Sequence, residues 1–263
     1  MVKTIWEEVV STSSWLTGLL VMAMLVLPVV FGTNISDTYA LYGPTDFYTL
    51  IMEGLALPLI FPLLAVALYV APFSTQLSNR YLVYTRTRAD IRRTLVSKAC
   101  ANATLTFVVF FLTGFMPFVW AYLLEPAFGL ITYHTQALDP AASAQNATTF
   151  SQLLAYGPWA YGLGFSVWLG LNGALYATIG FLLLFFIPNR FVAMSVPFLA
   201  VNIVGFVMAV LQVPQFAPGS VMPFNLIQFP IWVPFVPFAV LAAMAAAAAL
   251  YVHRNTHRLD VLQ

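Results

Sequence analysis

Charge is what this chain lacks most. Ten Lys and Arg and nine Asp and Glu among 263 residues make it 7% charged, against about a quarter in an ordinary soluble domain. A soluble surface needs far more polar groups than that, so a water-soluble enzyme or a nucleic-acid binder is excluded. A single cysteine, Cys100, allows no intrachain disulfide. No Gly-x-x-x-x-Gly-Lys-Ser/Thr loop is present, which removes that route to nucleotide binding. There is no Ser/His/Asp or paired-carboxylate constellation for intramembrane catalysis, and the chain does not read as an enzyme. What it has instead is apolar: 61% of residues are hydrophobic, 16% are aromatic, and the mean hydropathy is +0.89. The expected class is all-α, a polytopic membrane helical bundle forming one transmembrane domain over residues 1–263.

A hydrocarbon layer of about 30 Å takes about 20 apolar helical residues to cross. Six runs satisfy this: residues 15–32, 49–71, 99–124, 159–187, 191–212 and 230–252. The first follows Lys3, Glu7 and Glu8, lacks a small-residue cleavage site, and reads as a retained span rather than a signal peptide. With six crossings, all ten cations fall on one side: Lys3, Arg80, Arg86, Arg88, Arg92, Arg93, Lys98, Arg190, Arg254 and Arg258. The other side holds Asp37, Asp46, Glu125 and Asp139. Basic loops stay cytoplasmic, so both termini are expected inside a cell (plasma or inner) membrane. The outer connections are residues 125–158 and 213–229. The second is apolar yet broken by Pro214, Pro218 and Pro223, which suits an element dipping back among other helices.

Several elements could carry function. Val2, Ile5, Trp6, Val9 and Val10 form one apolar stripe at helical spacing, with Lys3, Glu7 and Glu8 opposite. Residues 1–14 therefore read as an amphipathic interfacial helix, or as the first turns of a longer span; the Ser11-Thr12-Ser13-Ser14 break favours the former. Residues 73–98 form a basic segment too polar to cross and too rich in Leu, Val, Ile and Tyr to be a loose linker. Its arginines could hold anionic lipid headgroups or dock a cytosolic partner. Gly162, Ser166, Gly170, Ala174 and Thr178 recur every four residues, a face for helix packing within the chain or for a dimer seam. Glu53 reads as the one ionisable side chain inside a span, and with Asn172 and Asn202 it is a candidate for a polar pathway. His253 and His257 lie one turn apart beyond the sixth span, with no other ligand nearby, so no metal is expected.

This layout resembles the permease subunits of type-2 ATP-binding-cassette (ABC) exporters. The parts that match are the amphipathic N-terminal helix, six spans with both ends inside, the basic segment between spans two and three, and the Pro-rich connection over residues 212–229. The run Asn79-Arg80-Tyr81 through Thr85-Arg86-Thr87-Arg88 to Ser97-Lys98 is similar to the family's coupling-helix region. The resemblance implies that Arg80, Tyr84, Arg86, Arg88, Asp90, Arg92 and Arg93 dock a cytosolic ABC ATPase. It also implies a second permease subunit, identical or homologous, and ATP with Mg in the ATPase but no cofactor in this chain. The implied activity is export of a hydrophobic, lipid-like, peptide or drug substrate, with no nucleic-acid partner. Two other expectations compete: a gradient-driven carrier or channel subunit, and a membrane assembly subunit that transports nothing.

Overall fold

A computed structural model of the chain describes residues 2–12, 14–54, 57–78, 91–134, 148–219 and 230–255. Among them every regular element is a helix and no strand forms. Helix α1 covers Val2–Thr12. Ser14 caps α2, Trp15–Ile35, in a reciprocal box with Thr17, which separates the two helices. A short helix α3, Pro44–Glu53, starts on a proline behind Gly43, and α4 follows at Leu57–Ser78. The longest element, α5, covers Ile91–Val119 and continues through a π turn, Trp120–Leu124, and a last turn, Glu125–Phe128. Gly129, at φ 62°, then ends it by donating its N–H to the Glu125 carbonyl. Pro158 opens α6, Pro158–Leu183. The Asn189 carboxamide accepts the first free amides of α7, Arg190–Val210, and α8 is Phe235–Arg254.

Six of these runs are long and apolar enough to cross a membrane: Trp15–Thr38, Leu57–Leu77, Ile91–Phe128, Pro158–Leu183, Arg190–Val210 and Phe235–Arg254. The second span begins later than the hydropathy alone suggests. The apolar run over residues 49–71 is divided after Glu53, where Gly54 closes α3 with its N–H on the Leu50 carbonyl. Glu53 therefore ends a short helix ahead of the span and does not lie within it. The basic segment over residues 73–98 is divided too. Residues 73–78 continue α4 and residues 91–98 begin α5.

Helix α6 is the centre of the bundle. Its apolar window is 67% buried, against 11% for α7 and 17% for α8, which lie at the periphery. It packs chiefly along α5, and the small residues make that possible. A Cβ at Gly162 would come within 2.5 Å of the Phe118 ring, and one at Gly173 within 2.5 Å of the Phe110 ring. Without side chains there, the helices approach closely and the phenylalanines fill the groove.

Two cores stack along the bundle. One includes Tyr48, Phe118, Tyr161 and Phe165, whose rings meet mostly edge to face around Tyr48. The other includes Val9, Tyr69, Phe73, Ile91, Leu95, Phe181, Phe185 and Val252. The second core lies where α4, α6 and α8 end and α5 and α7 begin, the end that carries the described cations. It is called the basic end below, and its opposite the acidic end.

Candidate functional site

Lys98 is the most deeply buried charge at the basic end, 2% exposed, two turns into α5. A buried ammonium is costly unless paired and hydrogen-bonded. Its Nζ donates to Glu8 Oε2 of α1 at 2.8 Å and to Gln76 Oε1 of α4 at 3.2 Å. The Gln76 amide in turn donates to Thr12 Oγ1 of α1 at 3.4 Å. The Phe73 ring lies 5.6 Å from the ammonium, within cation–π range. The Tyr69 hydroxyl, on the same face of α4, is buried without a hydrogen-bond partner among the described residues. Three helices thus converge on one ammonium. Val9 and Thr12 of α1 are buried by the same contact, while Glu7 and Val10 stay exposed.

A second tie closes the basic end. Arg190, the first residue of α7, donates from Nη1 to the Ser74 carbonyl near the end of α4 at 2.8 Å.

The acidic end has its own buried charge. Glu125 is 1% exposed and accepts the Ile131 N–H on Oε1 at 2.9 Å and the Tyr133 O–H on Oε2 at 2.8 Å. Burial, and then the hydrogen bond to Glu125, push the Tyr133 phenol above its ordinary value. Nearby, the Tyr122 hydroxyl of the π turn bonds the Thr45 hydroxyl of α3 at 2.6 Å, and Trp120 Nε1 donates to Thr33 Oγ1 of α2 at 3.2 Å. Glu53 is half-buried with Oε1 inaccessible and without a hydrogen-bond partner. Burial raises its carboxyl from 4.5 to about 7.

The residues singled out from sequence fare differently. Arg80, Tyr84, Arg86, Arg88 and Asp90 lie outside the described residues; Arg92 is half-buried and Arg93 exposed in the first turn of α5. Gly162, Ser166 and Gly170 are buried, the two glycines against Phe118 and Phe107 of α5, whereas Ala174 and Thr178 are half-buried. Ser166 and Thr178 return their hydroxyls to carbonyls one turn back, Gly162 O and Ala174 O. Asn172 and Asn202 do the same with their amides, to Trp168 O and Phe198 O. Asn102, one turn beyond Lys98, is fully buried and neither of its side-chain polar atoms finds a partner. Among the described residues no three His, Cys, Asp or Glu side chains converge on a metal position. An apolar groove of about 240 Å³ opens beside α6 and α8, lined by Phe150, Leu153, Val167, Trp168, Leu171 and Phe235 among others.

The Glu8–Lys98–Gln76 node was not singled out by sequence reasoning. Its signal is nonetheless present: Ile91, Leu95, Lys98, Asn102, Thr106 and Val109 recur at helical spacing, and all are buried. A lysine on such a stripe is turned inward, not outward with the loop cations.

No protein-family model, curated protein or solved structure matches the chain.

Proposed function

We propose that this chain is the membrane-embedded permease subunit of an ATP-driven exporter, with its basic end and both termini in the cytoplasm. The observation that carries the reading is the build of α5. Its helical run, Ile91–Phe128, has 38 residues, about 57 Å at ~1.5 Å per residue. That exceeds a hydrocarbon layer of about 30 Å by several turns. The run begins within the basic segment, with Arg92 and Arg93 at its base, and reaches the acidic end. Its close fit against α6 makes it a rod as far as Pro117, where a proline and then the π turn interrupt the ladder. A push on the basic segment by a separate ATPase would tilt or shift that rod, and the bundle would change state as packed helices do, between discrete arrangements. The apolar groove beside α6 and the exposed faces of α7 and α8 suit an apolar substrate and a second permease subunit.

A second reading has one observation in its favour. The unpartnered, half-buried Glu53 carboxyl is the kind of group a proton-driven carrier uses. The two readings separate on energy source: the exporter needs an ATPase, the carrier only a gradient.

The test is purification of the chain from its native membrane without a tag on any partner. The exporter reading expects an ATPase to co-purify and to be lost in the Arg86→Glu, Arg88→Glu double variant while the fold is retained. Association that survives the double variant would remove the basic segment as the docking surface. Gradient-driven uptake by the purified chain in vesicles, with no ATPase present, would replace the exporter reading with the carrier.

A further inference from the structure

Helix α1 spans 11 residues, too few to be stably helical in water by itself. Its order depends on what it docks against. At the basic end it lies across α4 and α5, and these are the two helices joined by the basic segment. Gln76 lies two residues before the end of α4 at Ser78, and Lys98 seven residues past the start of α5 at Ile91. Glu8 and Thr12 therefore bond to both stems of that segment at once. Among its described side chains, Val9 and Thr12 are buried, while Glu7, Val10 and Ser11 face outward.

We propose that α1 is a releasable strap that clamps the inner ends of α4 and α5 together, and that the Glu8 carboxylate is what lets it stay closed over the buried Lys98 ammonium. The two members of the pair are unequal. Lys98 is 2% exposed and Glu8 24%, so Glu8 can regain water when the strap lifts, whereas Lys98 stays inside the bundle. Removing the carboxylate takes a charged partner at 2.8 Å away from a buried ammonium, which is strongly unfavourable. Removing the ammonium leaves a carboxylate that can hydrate at the surface, which is mild. A lifted α1 would free Gln76 and Lys98 and let the two stems separate, while its apolar stripe settles on the membrane surface. The strap does not depend on what drives the chain, so it stands whether or not an ATPase is the partner.

The asymmetry gives the test. In the full-length protein in lipid nanodiscs, with Cys100 replaced by alanine, Val9→Cys places a reporter thiol on the buried side of α1, and a water-soluble maleimide reads its exposure. Glu8→Gln is expected to raise the labelling rate at least tenfold. Lys98→Met should leave it within about twofold of the parent. The Glu8→Gln, Lys98→Met double variant should return to the parent rate, because the ammonium that calls for the carboxylate is gone. Should Glu8→Gln fail to fold, recovery of a folded, slowly labelled double variant carries the same information. The strap is overturned if Glu8→Gln labels like the parent. It is equally overturned if Lys98→Met labels as fast as Glu8→Gln, since α1 would then be held by the contacts of the lysine itself and closure would not turn on covering a buried charge.

Discussion

Lys98 and Glu125 are two buried charges on one helical run, 27 residues apart (125 − 98), or about 40 Å along its axis. Each sits near an end of the bundle, yet they are satisfied in opposite ways. Glu125 takes neutral donors from the chain just beyond it, Ile131 and Tyr133. The contact is local in sequence and folds one connection back on its own helix. Lys98 takes a charged partner 90 residues away in α1 and an amide 22 residues away in α4. One node closes a loop. The other joins three elements that lie apart in sequence, which is what the proposed strap requires and the acidic-end node lacks.

The largest expected effect falls at the basic end. Glu8→Gln should cost about 2–3 kcal/mol, somewhat below the usual loss for a broken buried pair because Glu8 is partly hydrated. Hydrogen exchange should quicken across α1 while residues 129–134 remain as before. Equal exchange in both regions would erase the distinction drawn here.

Glu125→Leu comes next. It leaves the Ile131 N–H buried without an acceptor, at about 1–3 kcal/mol. Its exchange signature should be the reverse, confined to residues 129–134 with α1 unchanged. Tyr133→Phe removes one of the two bonds and should cost about 1 kcal/mol in the same place.

The smallest effect is conditional on pH. The Glu53 carboxyl, raised from 4.5 to about 7 by burial, is easier to ionise in the unfolded chain than in the folded one. The folded state therefore has its full stability below pH 4.5 and loses the Glu53 share as pH rises toward and through 7. Glu53→Gln should raise the melting temperature at pH 8 by a few degrees and leave it unchanged at pH 4.5. A gain of the same size at both values would show that the effect does not come from ionisation of the carboxyl.

Hydropathy and charge spacing made the helical class and six membrane-length runs legible before any coordinates. Those signals report depth, and depth is a property each residue expresses nearly alone. They do not report neighbours. The run over residues 49–71 is apolar apart from Thr49 and Glu53, and one acid is too little to mark the division at Gly54 in hydropathy. Only backbone geometry there separates α3 from α4 and moves Glu53 out of the span. Lys98 was grouped with the loop cations because its sequence neighbours are polar, although its helical phase points inward. Glu125 reads as one more acid in an outer connection, and its burial follows from Gly129 turning the chain back so that Ile131 and Tyr133 reach it. The small-residue stripe of α6 could be recognised as a packing face from spacing alone. Which helix it meets depends on the phenylalanines of α5, and pattern alone does not pair the two.

The central claim is that the basic end, with its strap and the base of the long rod, faces the cell interior, where a motor can reach it. Two single-cysteine variants test it in intact cells, both with Cys100 replaced: Thr87→Cys in the basic segment, and Tyr156→Cys, 83% exposed at the opposite end. With a membrane-impermeant maleimide, the proposal predicts labelling at position 156 at once and at position 87 only after the cells are permeabilised. Labelling at position 87 from outside intact cells would contradict the orientation, and with it the cytoplasmic drive.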